Sequence, residues 1–347
     1  MRLDEFDYHL RKSLIAQTPL DDRAASRLMV VDRATGTFEH ATFRDLASYL
    51  APGDVLVVNR SRVIPARLFV RRSSGGHIEF LVTRALDDKR FVALANPMRR
   101  ARIGETLSGE NGGFACCVIA RESDREVRVE ITSPHAICEV LDAHGHVPLP
   151  PYIGRPDDTV DRERYQTVFA DEKGSVAAPT AGLHFTDDLL SRVRSRGVDV
   201  CSLVLHVGLG TFLPLEHDEV ERNKLHGEAF SISGGTLKTI AAAKATGRSV
   251  VAVGTTASRV LETVCRPGFL ADGDSAVDLT GETDLFIYPG YEFKCLDKLV
   301  TNFHLPRSSL LLLVCAFLGT EKTLACYEAA VREKYRFYSY GDAMLIR

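Results

Sequence analysis

Asp54-Val55-Leu56-Val57-Val58-Asn59 places four apolar residues in a row, three of them β-branched. A strand with no polar position between its ends is covered on both faces, so it belongs inside a sheet with helices on either side. Working upstream, residues 27–59 read as strand, turn, strand, helix, turn, strand. Thr35-Gly36 makes the first turn. Thr42 is placed to cap a helix ending near Leu50, and Pro52-Gly53 turns the chain into the apolar strand.

Downstream, the texture changes between Val63 and Ile131. Short segments recur at 63–70, 76–84, 90–95, 114–120 and 125–131, and Gly75-Gly76, Asp87-Asp88 and Gly112-Gly113 separate several of them. No helical period appears between them, which is the pattern of a small antiparallel sheet or barrel. Gly145 to Tyr152 carries Pro148, Pro150 and Pro151, a stiff extended return.

From residue 175 strands and helices alternate. Thr186 caps a helix over Asp187–Arg196 that stops at Gly197, and Val198–Val207 is a strand. Thr236–Thr246 reads as a helix and Ser249–Gly254 as a strand. Thr255 or Thr256 then opens a helix toward Cys265. Pro306 is a natural first residue for an apolar helix ending at Gly319, and Leu318–Tyr335 follows as an amphipathic helix. The expected fold is therefore α/β: a three-layer α/β/α domain from residues 1–62 and 148–347, with an antiparallel β-barrel inserted at 63–147.

The 347 residues carry 43 Lys+Arg and 46 Asp+Glu, a formal net charge of −3. That balance gives no support to a DNA-coating or membrane-surface protein. No apolar run reaches the roughly 18 residues of a membrane span. Met1–Asp7 is acidic and lacks a signal-peptide apolar stretch. A cytoplasmic location without membrane contact is expected. Eight cysteines occur without a Cys-x-x-Cys, so reduced thiols are expected rather than zinc or thioredoxin chemistry.

Six segments hold polar groups where packing alone would not put them. Gly174–Thr186 is a small-residue loop that carries Thr180 and delivers His184 just before a helix. Leu205-His206-Val207-Gly208-Leu209-Gly210-Thr211-Phe212 ends a strand in a Gly-x-Gly turn; taken alone, that is weak. His226-Gly227-Glu228 would put an imidazole and a carboxylate on one side of a strand. Val253–Glu262 runs a strand through Thr255 and Thr256 into a helix start suited to an anion, and Arg259 is spaced to pair with Glu262. Thr301–Ser309 holds Asn302, His304 and Arg307. Tyr335–Ile346 packs Tyr338, Tyr340 and Asp342 into a cluster that suits a cation. Each piece also has a plain reading as a cap, a turn or a core strand.

Their order and wording are more specific. Val-Ala-Ala-Pro-Thr-Ala-Gly-Leu-His-Phe-Thr (176–186), Leu-His-Val-Gly-Leu-Gly-Thr-Phe (205–212), Val-Gly-Thr-Thr (253–256), Thr-Asn-Phe-His-Leu-Pro-Arg-Ser (301–308) and Tyr-Gly-Asp-Ala-Met-Leu-Ile (340–346) resemble the S-adenosylmethionine:tRNA ribosyltransferase-isomerase family of queuosine biosynthesis. Phe6-Asp7-Tyr8, residues 63–68 and residues 148–153 extend the resemblance over essentially the whole chain. Arg60 and Ala257 depart from the family's usual wording.

The resemblance implies transfer and isomerisation of the ribosyl part of S-adenosylmethionine onto 7-aminomethyl-7-deazaguanine at the wobble position of tRNA. The products are epoxyqueuosine-tRNA, adenine and methionine. S-adenosylmethionine is then a substrate, and no prosthetic group or metal is expected. Such chemistry needs acid–base groups. The candidates are His184, His206, His226, Glu228 and His304. Thr180, Thr211, Thr255, Thr256, Arg259, Asn302, Arg307, Tyr338, Tyr340 and Asp342 are the candidates for binding S-adenosylmethionine. Of these, Arg259 or Arg307 suits the methionine carboxylate, and Tyr338, Tyr340 and Asp342 suit the sulfonium. For tRNA the candidates are Arg62, Arg67, Arg71, Arg72, Arg99, Arg100 and Arg102, a basic face in or beside the insertion that the net charge averages away. A monomer is expected.

Three other readings compete. A non-enzymatic tRNA-binding module would use the barrel as an OB-type reader, but gives no reason for four histidines in Gly/Pro-flanked turns. A metal hydrolase would need compact ligand spacing, and an ordinary methyltransferase would need a Gly-x-Gly-x-Gly after its first strand; neither is present.

Overall fold

The computed structural model describes residues 1–208, 214–265 and 277–347. Two compact units are present. One comprises Met1–Arg62, Pro151–Arg155 and Arg164–Arg347; the other comprises Val63–Pro150 and Pro156–Glu163.

The first unit is built on a nine-stranded sheet. Its spatial order is Leu279–Thr283, Glu228–Ile232, Asp199–Leu205, Val55–Asn59, Val250–Val253, Lys298–Asn302, Ala343–Ile346, Arg27–Val31, Phe38–Thr42. The apolar strand Val55–Asn59 lies in the middle of the sheet, parallel to Asp199–Leu205 on one side and Val250–Val253 on the other. Lys298–Asn302 continues the parallel set. Antiparallel pairs flank it.

The pleat divides the core in two. Val55 and Val57 face one cluster, with Leu237, Ile240, Val260, Leu312 and Phe317 from the helices Gly234–Ala245, Gly254–Val264 and Ser309–Leu318. Leu56 and Val58 face the other, with Phe43, Leu46, Leu189 and Val193 from the 3₁₀ helix Phe43–Tyr49 and the helix Asp187–Ser195. Apolar residues at every strand position therefore produce the three-layer α/β/α arrangement. Each fully buried Val or Leu contributes about 1.5–3 kcal/mol of transfer free energy.

Local signals set the helix ends. Thr186 accepts a hydrogen bond from the Leu189 N–H at 3.2 Å, as its position in the sequence suggests. The helix Gly234–Ala245 starts two residues earlier than the sequence pattern suggests, because Ser233 caps it. Pro306 does not open the apolar helix. Arg307 adopts a left-handed φ of 59°, and Ser308 then caps a helix that begins at Ser309. No single helix among the described residues is long and apolar enough to cross a membrane. Ser309–Leu318 and Thr320–Arg332, bent by 115°, pass that test only as a pair. Leu311, Leu312 and Tyr327 from this pair lie in the core.

The second unit is a closed six-stranded barrel: Glu126–Ile131, Arg90–Asn96, His77–Ala85, Arg67–Arg72, Thr106–Gly109 and Ala115–Arg121, with the last pairing back to the first. Alternate residues such as Leu68, Val70, Ile78, Phe80, Val127 and Val129 fill its interior. The strand Thr106–Gly109 was not expected. Only Leu107 and Gly109 point inward, so it shows no apolar alternation to read. All eight cysteines are free thiols. Cys116, Cys265, Cys295, Cys315 and Cys326 are buried, whereas Cys138 is exposed.

Candidate active site

The carboxyl ends of the parallel strands open onto a cavity of about 410 Å³. Val207 follows Asp199–Leu205, Gly254 follows Val250–Val253, and Thr301 and Asn302 close Lys298–Asn302. The loop Ala177–Ala181, the turn Leu305–Ser308, and Tyr152, Tyr338 and Ser339 complete the wall. Ligands of open α/β sheets bind at this end.

Gly254 shapes the floor. Its φ of 88° turns the strand Val250–Val253 straight into the helix Gly254–Val264. A Cβ there would stand 3.4 Å from the Ala181 Cβ. The result puts Thr255 and Thr256 at a helix N-terminus facing the cavity. Among the candidate residues, Thr180, Thr255, Thr256, Asn302, His304, Arg307 and Tyr338 line this one space.

Two hydroxyls on the wall, Thr256 Oγ1 and Tyr338 Oη, are buried with no hydrogen-bond partner among the described residues. Buried polar atoms are normally paired, so these two hydroxyls are open to a partner from the cavity side. Backbone strain collects in the same place. Arg307 and Tyr338 hold φ at 59° and 72°, a region that disfavours residues with a Cβ by about 1–2 kcal/mol. Tyr338 is held by its N–H to the Phe303 carbonyl at 3.0 Å and by its ring against Tyr152, with centroids 4.2 Å apart.

His304 lines the cavity with its ring against Thr301, Nε2 to Oγ1 at 2.7 Å. Its carbonyl accepts the Tyr8 hydroxyl and its N–H reaches the Tyr327 hydroxyl at 3.2 Å. Burial pushes its pKa down to about 3, so the imidazole is neutral.

His184 sits one layer behind the wall. Asn302 Nδ2 donates to the Tyr338 carbonyl at 3.1 Å, which fixes the amide orientation. The same nitrogen meets His184 Nε2 at 3.1 Å, so Nε2 accepts. Nδ1–H then donates to Ser26 Oγ at 2.7 Å, and Ser26 passes its proton to the Arg23 carbonyl at 3.3 Å. Phe43 covers the ring, with centroids 4.8 Å apart. Burial, helped by Arg23 and Arg336, pushes the His184 pKa down to about 3. An imidazolium would turn a second N–H against the Asn302 amide. The geometry gives His184 an orienting position and no contact with the cavity.

The other candidates lie elsewhere. His206 is half-buried, packed against Gly174, whose φ of 145° and missing Cβ make room for the ring. Burial lowers its pKa, with Glu172 opposing. His226 is exposed and lines a small cavity with Glu228 and Arg259, but His226 and Glu228 form no imidazole–carboxylate ion pair among the described residues. Glu228 instead forms a buried ion pair with Arg259 and accepts the Gly208 N–H at 2.7 Å. Arg259 also donates to the Thr283 and Leu285 carbonyls, each at 3.0 Å. Arg259 therefore does not pair with Glu262, whose carboxylate takes the Lys294, Cys295 and Leu296 N–H groups.

Asp342 does not face the cavity either. It accepts the Arg27 N–H at 2.9 Å and the Arg336 N–H at 2.7 Å, and burial raises its pKa. Tyr340 lines a separate small cavity beside His184. Thr211 lies outside the described residues. Tyr152 and Ser339 are wall residues that were not singled out; their hydroxyls meet at 2.6 Å. Pro-Pro-Tyr in a connector was the one available signal for Tyr152.

Several of the expected tRNA-contacting arginines are neutralised locally. Arg67 meets Glu79 at 2.9 Å, Arg72 meets Glu105 at 2.7 Å, and Arg71 is 3.5 Å from Glu110. Arg62 is exposed and donates to the Ala170 carbonyl at 3.2 Å. Arg99, Arg100 and Arg102, like Arg62, have no carboxylate partner among the described residues. No group of three or more His, Cys, Asp or Glu side chains is placed to hold a metal among the described residues.

The comparisons agree with this architecture. A family model described as queuosine biosynthesis protein matches residues 3–346. A crystal structure of S-adenosylmethionine tRNA ribosyltransferase from Thermotoga maritima is similar at 36% identity and a TM-score of 0.56. The match covers 99% of this chain and 100% of that one. A match of this length and identity is one of family as well as fold: the chain belongs to the queuosine biosynthesis protein family.

Proposed function

We propose that this chain is an S-adenosylmethionine:tRNA ribosyltransferase-isomerase. It moves the ribosyl group of S-adenosylmethionine onto 7-aminomethyl-7-deazaguanine at the tRNA wobble position, giving epoxyqueuosine-tRNA, adenine and methionine. The observation that carries this reading is the cavity of about 410 Å³ at the strand ends. It gathers Thr180, Thr255, Thr256, Asn302, His304, Arg307 and Tyr338 and holds two unpaired hydroxyls.

The reaction sets four demands. A proton leaves the 5′-carbon beside the sulfonium, adenine departs, the aminomethyl nitrogen attacks, and methionine leaves as the epoxide closes. His304 is the imidazole on the wall, and on that position it is assigned to exchange a proton with the bound substrate. Arg307 and the free N–H groups at Thr255 and Thr256 suit the methionine carboxylate. The Tyr338 ring and hydroxyl suit the sulfonium and its neighbours. Glu228, Arg259 and Asp342 hold structure in this account, and His184 orients Asn302.

The RNA is assigned to the barrel unit, where Arg99, Arg100 and Arg102 can neutralise phosphates. S-adenosylmethionine is consumed as substrate. The test incubates the protein with S-adenosylmethionine and tRNA bearing the aminomethyl base, and follows nucleosides and free adenine by mass spectrometry. Epoxyqueuosine with stoichiometric adenine is expected. Methylated tRNA, or an unchanged base, refutes the reading.

A further inference from the structure

Proton directions can be traced from a fixed point to the cavity wall. The fixed point is the Tyr338 carbonyl, which can only accept. It meets Asn302 Nδ2 at 3.1 Å, and the Asp342 carbonyl stands 3.4 Å from the same nitrogen. The amide nitrogen is therefore on that side, and Oδ1 is on the other. Asn302 Oδ1 meets Thr180 Oγ1 at 3.0 Å. An amide oxygen has no proton, so the single hydroxyl proton of Thr180 is committed to it. What Thr180 presents to the cavity is then its lone pairs. Asn302, also on the wall, offers the remaining lone pair of Oδ1. This stretch of wall can only accept.

His184 keeps it that way. With Nε2 accepting from Asn302, and Nδ1–H donating to Ser26 Oγ, the amide cannot flip without placing its oxygen against both a carbonyl oxygen and a ring-nitrogen lone pair.

We infer that Thr180 and Asn302 form an acceptor-only subsite that binds an N–H donor of the ligand, with His184 as a positioning residue that holds the amide together with the Tyr338 carbonyl. This rests on the functional reading above. S-adenosylmethionine carries two such donors, the adenine 6-amino group and the methionine α-ammonium. The chemistry is shared, and binding measurements separate the two.

The experiment measures equilibrium binding of three ligands by calorimetry. They are S-adenosylmethionine, an analogue with hydrogen in place of the 6-amino group, and an analogue with hydrogen in place of the α-ammonium. Each is titrated into the wild type, Thr180→Val, Thr180→Ser, His184→Gln and His184→Leu. In the wild type, one analogue binds about five- to tenfold more weakly than S-adenosylmethionine. Thr180→Val abolishes that ratio and Thr180→Ser retains it. Gln can accept from Asn302 and donate to Ser26, so His184→Gln keeps the ratio, while His184→Leu loses it. A merely structural role for His184 would weaken all three ligands alike and leave the ratio unchanged, which overturns the positioning assignment. If S-adenosylmethionine binds but neither analogue's deficit depends on Thr180, the subsite is overturned and the functional reading stands. If S-adenosylmethionine does not bind the wild type, both fall.

Discussion

Two buried neutral histidines make a specific demand on stability between pH 7 and pH 5. His184 and His304 have pKa values pushed to about 3 from 6.5. In the unfolded chain each titrates near 6.5. Below that value the unfolded state binds more protons than the native state, so stability falls as pH falls, and continues to fall until the folded pKa is reached. The slope is about 1.4 kcal/mol per pH unit for each group. From pH 7 to pH 5 that is about 2 kcal/mol each, or about 4 kcal/mol for the pair, a large share of a typical 5–15 kcal/mol. His206, shifted the same way, adds to the loss. Asp342, shifted upward, works in the opposite direction.

The variant that isolates one term is His184→Gln, which keeps an acceptor for Asn302 and a donor for Ser26. Urea unfolding is followed by near-UV circular dichroism, since the chain has ten Tyr and no Trp. The wild type is expected to lose about 2 kcal/mol more than His184→Gln between pH 7 and pH 5. Equal losses within about 0.5 kcal/mol would refute the claim that His184 is held neutral, and with it the assigned tautomer.

Other expectations follow from single contacts. Tyr338→Phe removes a hydroxyl without a partner, so stability stays within about 0.5 kcal/mol, while affinity for S-adenosylmethionine drops in calorimetry. Glu228→Gln strips the charge opposing a buried guanidinium and lowers unfolding free energy by about 3–5 kcal/mol; changing Glu228 and Arg259 together to Leu and Met recovers part of it. Gly254→Ala forces a Cβ onto a φ of 88° and costs about 1–2 kcal/mol, read as a lower urea midpoint. Replacing Arg99, Arg100 and Arg102 by Gln lowers the slope of log affinity for tRNA against log salt by about 2–3, with little change in S-adenosylmethionine binding.

The fold class was readable in the sequence because its signals are local. Val55–Val58 has no polar position, and so required cover on both faces; both faces are indeed covered. Thr186 and Gly197 bound a helix by capping chemistry that operates over a few residues. The short segments between 63 and 131 announced an antiparallel barrel through their alternation. The strand Thr106–Gly109 escaped because a closing strand with one large inward side chain has no period to detect. Pro306 misled for a related reason: a good first helical residue has no effect when the next residue takes a left-handed φ and Ser308 supplies the cap.

The cavity followed a different rule. Thr255, Thr256, Asn302, His304 and Arg307 sit at strand ends or in the turns that leave them, where sheet topology sends ligands, and those were legible. Pairing was not. Glu228 was read as a partner of His226, and Arg259 as a partner of Glu262; the tertiary fold joined Glu228 to Arg259 across 31 residues instead. Asp342 was read as a cation site and is consumed by two backbone N–H groups. Arg67 and Arg72 were read as tRNA contacts on a basic face and lie beside Glu79 and Glu105.

Periodicity, caps and turn chemistry depend on neighbours within a few residues, so the sequence by itself determined the layers, the barrel and the loops that reach the strand ends. A side chain's charge and proton state depend on whatever lies within a few ångströms, from any part of the chain. Only the tertiary structure could therefore decide that His184 faces Asn302, and that Thr180 commits its hydroxyl proton to the Asn302 carbonyl oxygen.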